Sequence, residues 1–128
     1  MQTRRRILVV DDSNSMPAFV VSILKEANYE DIGWVHDGIS ALALLRANKY
    51  DLVICDWQIQ PISGLALTRL IKDDVRLRKV RVILIGSHGQ DEALLNGADG
   101  YVGKPFEPRD LKEEVEDVLS AVAQLASG

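Results

Sequence analysis

Three acidic residues and one lysine of this chain follow short apolar runs in the sequence. Asp11 and Asp12 follow the first run, Asp56 follows the third, and Lys104 comes shortly after the fifth. Carboxylates held close together raise one another's pKa, so a site that gathers these three needs cations to offset their charge. Lys104 supplies one positive charge. A hard divalent ion such as Mg²⁺, which prefers oxygen ligands, would supply the rest.

A lysine, a divalent ion and a carboxylate that is free to react are together suited to phosphoryl chemistry. The two cations neutralise phosphoryl oxygens, and an aspartate can act as the nucleophile and form an acyl phosphate. We select Asp56 as the nucleophile because it stands alone, whereas Asp11 and Asp12 are adjacent and suit metal binding. Taken singly, each acid is better explained as a turn residue or a helix cap. Their placement behind separate apolar runs is what favours a site.

The apolar runs themselves are predicted to be strands of a parallel sheet. They lie at residues 7–10, 33–35, 52–55, 80–85 and 100–102. Three of them are almost continuous Val, Ile and Leu, which is the pattern of strands that helices cover on both faces. Amphipathic patterns predict helices between and after them, at residues 16–27, 38–48, 64–73, 90–96 and 108–125. The fourth of these helices is short, at about two turns.

Five βα units in succession indicate an α/β fold. Right-handed crossovers place helices on both faces of a five-stranded parallel sheet, which makes a three-layer sandwich. Ligands of such sheets bind outside the carboxyl ends of the strands, where the acids and the lysine are expected to meet. The 128 residues are the size of one ordinary domain, and we expect a single domain over residues 1–128.

The composition excludes several classes of function. The chain has 15 Lys and Arg against 19 Asp and Glu, a net charge of −4, which argues against nucleic acid as the main partner. The arginines at residues 4–6 are expected to form a solvated, partly frayed chain end. The single Cys55 cannot form an internal disulfide, and neither a signal peptide nor a membrane-spanning stretch is visible. We therefore expect a soluble, cytoplasmic protein that does not bind membranes.

Three segments resemble the receiver domain of bacterial two-component response regulators, most closely the stand-alone chemotaxis type. They are ILVVDDS at residues 7–13, YDLVICDW at 50–57 and GADGYVGKPF at 97–106. The resemblance implies a flavodoxin-like sheet with the strand order 2-1-3-4-5, the order that chemotaxis receivers share with flavodoxin. The pattern runs from Ile7 to Leu125, so we expect no output domain. It also implies a signalling module and not a metabolic enzyme.

The same resemblance assigns roles to the acids and the lysine. Asp56 matches the phosphoacceptor, which receives its phosphoryl group from a sensor histidine kinase or a phosphotransfer protein. Asp11 and Asp12 match the pair that binds Mg²⁺ directly and through water, with Asp56 as a further ligand. Lys104 matches the lysine that contacts the phosphoryl group.

Further positions match the family's loop and switch residues. Gln58 stands where the family uses a backbone carbonyl as a metal ligand, and Pro105 matches a proline held in a cis bond. Tyr101 matches the aromatic residue that swings inward on activation. The resemblance also implies a downstream protein target on the face formed by the fourth helix, the fifth strand and the fifth helix. The expected state is a monomer or a weak dimer.

The chain departs from the family pattern at three places. Gly86 stands where the family has a Thr or Ser, so the switch lacks its hydroxyl; Ser87 either substitutes for it or caps the fourth helix. The fourth helix is about one turn short, which puts the inherited partner in doubt. Pro61 comes one place late after the acceptor, although Gly64 keeps its spacing. His88 either modulates access of hydrolytic water or is an inert loop residue.

Two other functions compete with the phosphorylation switch. A degenerate receiver could act as an interaction module independent of phosphorylation, because Gly86 and the short fourth helix could uncouple Asp56 from Tyr101. A hydrolase with an aspartyl nucleophile is less well supported, since such enzymes need a second acid close to the nucleophile. Gln58 occupies the obvious position for that acid.

Overall fold

A computed structural model describes residues 4–87 and 89–127, and the side chains of residues 121–127 lie outside that description. Its strands are β1 (Arg6–Val10), β2 (Asp31–Val35), β3 (Leu52–Asp56), β4 (Arg81–Gly86) and β5 (Gly100–Gly103). Its helices are α1 (Ser15–Glu26), α2 (Gly38–Ala47), α3 (Gly64–Asp73), α4 (Gln90–Leu95) and α5 (Pro108–Ser127). Each predicted strand and helix is confirmed, with ends that differ by no more than two residues.

The strands form one parallel sheet in the order β2-β1-β3-β4-β5. The α/β prediction and the flavodoxin-like order are therefore confirmed. Every residue of the central strand β3 is buried. Val10 of β1 pairs with Cys55 of β3, so Asp11 and Asp56, which follow them, come to neighbouring positions.

Helices cover both faces of the sheet, and each face has its own apolar core. The first face packs against α1 and α5, whose buried core residues are Val20, Ile23, Leu24, Leu111, Val115, Val118 and Leu119. The second face packs against α2, α3 and α4, whose buried core residues are Ala41, Leu42, Leu45, Leu67, Ile71 and Ala93. The predicted apolar stripe of α5 continues to Val122 and Leu125, which lie outside the described side chains. Both faces are thus covered, as continuous apolar strands require.

Two of the helices, α2 and α3, begin at side-chain caps, whereas α1 has none. The Asp37 carboxylate accepts a hydrogen bond from Ser40 N at 2.7 Å, and the Ser63 hydroxyl accepts one from Ala66 N at 3.1 Å. The short α4 has Gly89 at its N-cap, with no side-chain cap. Ser87 therefore does not cap α4, because it lies too far ahead of the helix. Among the described residues, no helix is long and apolar enough to cross a bilayer.

The expectation of a frayed N-terminal end is wrong for Arg6. Its backbone N–H donates to Asp51 Oδ2 at 2.8 Å, and its Nε lies 3.2 Å from Asp31 Oδ2. Its guanidinium also stands 5.1 Å from the centre of the Tyr50 ring. Arg6 is ordered by these contacts because it begins β1, between the partner strands β2 and β3.

Candidate functional site

The carboxylate of Asp56 and the ammonium of Lys104 form the centre of the site. Asp56 ends β3 and is only 7% exposed, and Lys104 directly follows β5. Lys104 Nζ donates to Asp56 Oδ2 at 2.6 Å, and Gln58 N donates to Oδ1 at 2.9 Å. Hydrogen bonds between charged partners are short and directional. Both carboxylate oxygens of Asp56 are therefore held in fixed directions at the carboxyl edge of the sheet.

Asp11 lies beside this pair as a buried carboxylate at the end of β1. Its Oδ1 accepts hydrogen bonds from Ser13 N and Ser13 Oγ, both at 2.9 Å. Burial raises the pKa of Asp11 and the neighbouring Asp56 charge adds to the rise, although the Ser13 hydrogen bonds and Lys104 act in the opposite direction. The net result is a raised pKa. Without a further cation, the folded protein thus disfavours a charge on Asp11.

We expect Asp11→Asn to increase the free energy of unfolding at pH 7 without Mg²⁺, by about 1 kcal/mol. The folded pKa of Asp11 lies above its usual value of 3.8, so the folded state binds more protons between the two values. The stability that Asp11 contributes is therefore present below pH 3.8 and is lost as the pH rises through the folded pKa. Asparagine carries no charge, so the variant does not lose this stability at higher pH, and its amide oxygen can still accept hydrogen bonds from Ser13. Urea unfolding at several pH values measures the free energy of unfolding of both proteins.

Asp117→Asn, at an exposed position of α5, is the matched control for that experiment and should change stability by less than about 0.5 kcal/mol. Added Mg²⁺ should stabilise the original protein but not the Asp11→Asn variant. An Asp11→Asn variant less stable than the original protein at pH 7 without metal would contradict the interpretation that burial disfavours the charge on Asp11.

Asp12 and Gln58 lie on the solvent side of the site. Both are exposed and both line an open cavity of about 550 Å³. The complete lining is Asp12, Trp57, Gln58, Ile59, Gln60 and Ser63. This cavity adjoins Asp56 along the chain, because Trp57 and Gln58 directly follow it.

The donor chemistry of the site fits a hard divalent cation. Two buried carboxylates, those of Asp11 and Asp56, lie beside a single lysine, and the exposed Asp12 lines the adjoining cavity, so negative charge is in excess and the oxygen ligands suit Mg²⁺. Within the described part of the chain, no three His, Cys, Asp or Glu side chains form a group that could hold an ion by themselves. Asp56 Oδ2 is already paired with Lys104, and Asp12 is exposed. A cation here therefore needs backbone or water oxygens in addition to carboxylates.

The loop after the acceptor is closed by Gly64. Gly64 N donates to Trp57 O at 2.8 Å, which brings the start of α3 back against the end of β3. A Cβ atom on Gly64 would collide with the Asp56 carbonyl oxygen and lie 2.9 Å from Trp57 Cα. Glycine is thus required here by the close approach of two backbone segments. The Gln60–Pro61 peptide bond in this loop is cis, as is Lys104–Pro105 on the other side of the site.

The Trp57 side chain occupies the space beside Gly86, the residue that stands where the family has a Thr or Ser. A Cβ atom on Gly86 would lie 2.9 Å from Trp57 Cβ. Within the described residues, the one glycine with a left-handed backbone is Gly97, at a φ of 100°, so Gly86 is required by space and not by conformation. Gly86 therefore gives the neighbouring Ser87 no backbone direction that other residues could not give. Ser87 is exposed, and His88 lies outside the described residues.

Tyr101 is turned inward and contacts the same position. Its hydroxyl donates to Gly86 O at 2.7 Å, and its ring meets the Trp57 ring edge-on at 6.1 Å between centroids. Gly86 O also accepts from Lys104 N at 2.8 Å. One carbonyl thus connects the lysine of the site to the aromatic residue of β5.

We expect Gly86→Ser to destabilise the fold by about 2 kcal/mol, because the new Cβ overlaps the base of the Trp57 side chain. Gly103→Ser is the matched control, since a Cβ there has no neighbour closer than 3.6 Å. Chemical denaturation of both variants measures the difference. Equal stability of the two variants would show that Trp57 can move aside, and that Gly86 is not fixed by packing.

Trp34 is a further contact of the site, and sequence patterns do not reveal it. Trp34 Nε1 donates to the Asp11 carbonyl oxygen at 3.1 Å and so holds the loop that carries Asp11 and Asp12. Trp34 lies in β2 opposite Val9 of β1. Only the register between these two strands, which the sequence does not show, could have revealed this contact.

Comparisons with known proteins show which family and which folds the chain is similar to. A sequence model described as the response regulator receiver domain matches residues 7–116. Chemotaxis protein CheY1 of Helicobacter pylori is 34% identical over 119 residues, which are 89% of this chain and 96% of that protein. A putative response regulator of Chloroflexus aurantiacus superposes with a TM-score of 0.86 at 25% identity, covering 92% of this chain and 99% of that one.

A third comparison concerns the metal. The receiver domain of a sensor histidine kinase from Pseudomonas aeruginosa PAO1 superposes with a TM-score of 0.82 at 23% identity. The match covers 92% of this chain and 99% of that one. That crystal structure has a magnesium ion coordinated in its active-site cleft. At this sequence identity, the similarity between the two chains shows that they share a fold and nothing more.

Proposed function

The chain belongs to the response regulator receiver domain family, and from that premise we propose that it is a phosphorylation switch with Asp56 as its acceptor. The observation that carries the proposal is the Asp56–Lys104 pair at 2.6 Å, with Gln58 N on the second carboxylate oxygen. An oriented carboxylate can attack phosphorus, and an adjacent ammonium offsets the charge on the phosphoryl oxygens. Receivers are signalling modules, and we assign no metabolic reaction to this one.

In the proposed step, one oxygen of Asp56 forms a bond to phosphorus. The bond between phosphorus and a histidine nitrogen of a sensor histidine kinase or a phosphotransfer protein breaks. The electrons of the broken bond stay on that nitrogen. It is then a basic nitrogen of the imidazole and can take up a proton. The Lys104 side chain stays close to the transferred group. Hydrolysis of the acyl phosphate later returns Asp56 to its carboxylate form.

We further propose that Asp11, Asp12, Asp56 and the Gln58 backbone carbonyl hold Mg²⁺. The ion would supply the positive charge that Lys104 alone does not provide. The excess of negative charge and the raised pKa of Asp11 support this assignment. The magnesium in the Pseudomonas aeruginosa receiver is a further argument from a protein of the same fold.

The proposed switch runs from Lys104 through Gly86 to Tyr101. Phosphorylation changes the partner of the Lys104 ammonium, and Gly86 O bonds both Lys104 N and the Tyr101 hydroxyl. The proposed partner surface is the face of α4, β5 and α5, where Leu95 is 82% exposed. Ser87 remains a candidate for a phosphoryl contact because it directly follows β4. We propose a single cytoplasmic receiver domain, monomeric or weakly dimeric, whose target is a protein.

The test is a fluorescence titration with Mg²⁺ followed by beryllofluoride, a mimic of the phosphoryl group. The chain has two tryptophans, and both touch the site, so the Trp34→Phe variant leaves Trp57 as the sole reporter. We expect a saturable change with Mg²⁺ and a second change with beryllofluoride that requires Mg²⁺. A folded sample that responds to neither would contradict the proposed function.

A further inference from the structure

A cavity of about 560 Å³ lies at the edge of the sheet opposite Asp56. Three chain segments form most of its wall, and they all precede strands: Arg5 before β1, residues 45–51 before β3, and residues 76–80 before β4. Leu119 of α5 completes the lining among the described side chains. No residue of the phosphoacceptor site takes part, so this cavity is a separate feature of the fold.

The lining of this cavity is strongly basic although the chain is acidic. Five cationic side chains line it against one carboxylate, that of Asp51; they are Arg5, Arg46, Lys49, Arg76 and Lys79. Asp74 lies nearby, with Oδ2 at 3.8 Å from Arg46 Nε and Oδ1 at 3.4 Å from Arg76 Nε. Even with Asp74 counted, three positive charges remain in excess. A cleft lined by charge of one sign concentrates the field and attracts ions of the opposite sign.

Two of these cations are available for a ligand. Lys49 and Lys79 are exposed, and no ion pair within 4.0 Å involves either of them among the described residues. The single acid of the lining is already engaged, because Asp51 Oδ2 accepts a hydrogen bond from Arg6 N at 2.8 Å. An anion entering this cavity would therefore meet two lysines that, among the described residues, no carboxylate pairs with.

The floor of the cavity is apolar and is held in place by backbone hydrogen bonds. Leu45 and Leu77 are each 4% exposed and line it from below, next to the Tyr50 ring. Asp51 N donates to Arg6 O at 2.8 Å and Arg81 N donates to Asp51 O at 3.1 Å, which ties the starts of three strands together. Preformed cavities of this size with an apolar wall and a few polar groups are typical of small-molecule sites.

We propose that this cavity binds a small organic polyanion, with phosphate-like groups on the lysines and an apolar or aromatic body on the floor. A nucleoside polyphosphate has this chemistry. Lysine and arginine clusters recognise phosphate through charge-assisted hydrogen bonds, and the apolar floor adds affinity that an inorganic anion cannot use. The site is independent of Asp56, so its existence does not depend on the proposed function.

The experiment is a titration of the ¹⁵N-labelled full chain with ATP, inorganic triphosphate and adenosine, in a buffer with EDTA and no Mg²⁺. We expect ATP to shift the amide signals of residues 45–51 and 76–80, and not those of residues 11–12 and 56–58. Triphosphate should bind roughly tenfold more weakly, since it lacks the apolar body, and adenosine more weakly still. The double variant Lys49→Gln/Lys79→Gln should bind ATP roughly tenfold more weakly.

The matched control is Lys25→Gln/Lys112→Gln, which removes the same net charge at two exposed lysines outside the cavity. It should change ATP affinity by less than about twofold. Equal losses of ATP affinity in both double variants, or amide shifts spread over the whole surface, would show that ATP is attracted by the general charge of the protein. Either result would overturn the proposal. So would triphosphate binding as tightly as ATP, or no ATP binding at all. The beryllofluoride response of Asp56 is measured separately, so the failure of either proposal leaves the other testable.

Discussion

Asp56→Asn is expected to abolish the Mg²⁺-dependent beryllofluoride response of Trp57 and to reduce phosphorylation to background. An amide lacks the anionic oxygen that attacks phosphorus, and it no longer pairs with the Lys104 ammonium at 2.6 Å. The measurement is the fluorescence titration together with the uptake of labelled phosphoryl groups from a small phosphodonor. Asp91→Asn changes an exposed acid in the first turn of α4 and should leave both readouts unchanged.

An Asp56→Asn variant that still incorporated a phosphoryl group at the original rate would place the acceptor elsewhere. Far-ultraviolet circular dichroism of the variant shows whether it is folded. We expect the variant to be folded, because removal of one carboxylate from a crowded acidic site relieves like-charge repulsion. A loss of both readouts in a folded variant can then be assigned to the missing carboxylate.

Gly64→Ala is expected to lower the free energy of unfolding by about 3 kcal/mol. The added methyl group would meet the Asp56 carbonyl and lie 2.9 Å from Trp57 Cα, and neither backbone atom can move without disturbing β3. Urea denaturation monitored by circular dichroism gives the difference. Because the same clash displaces the loop that supplies Gln58 N to Asp56, the beryllofluoride response should weaken as well.

Gly103→Ala is the control for the Gly64 experiment. The nearest atom to a Cβ at Gly103 is 3.6 Å away, an ordinary contact, so the change in stability should stay within about 0.5 kcal/mol. If Gly64→Ala were as stable as this control, the close approach of α3 to the end of β3 would not be what determines glycine at that position.

The elements and the acidic edge could be predicted because they follow from local patterns and one topological rule. Continuous Val, Ile and Leu runs predict buried parallel strands, and parallel strands bring their carboxyl ends to one edge. Asp11, Asp56 and Lys104 were therefore expected to lie together, and Lys104 indeed pairs with Asp56. The resemblance to receivers added the strand order, which residue spacing alone does not determine.

The features that could not be predicted depend on register and on the direction of side chains. Trp34 reaches the Asp11 carbonyl only because β2 pairs with β1 at Val9. The sequence shows that Gly86 lacks a hydroxyl, but not that Trp57 occupies the space of its side chain. Arg6 was expected in a frayed end because it lies near the N-terminus. Its partners Asp31 and Asp51 are distant in the chain, so the sequence does not reveal these contacts. The basic cavity likewise combines residues from three separate segments.

The central claim is that Asp56 becomes an aspartyl phosphate. The most direct test treats the full chain with Mg²⁺ and a phosphodonor, then with sodium borohydride, which reduces an acyl phosphate to homoserine and releases phosphate. Peptide mass spectrometry then locates the reduced residue. We predict homoserine at position 56, dependent on Mg²⁺ and absent without the phosphodonor. Reduction at Asp11 or Asp12 instead, or no reduction in a folded sample, would contradict the account.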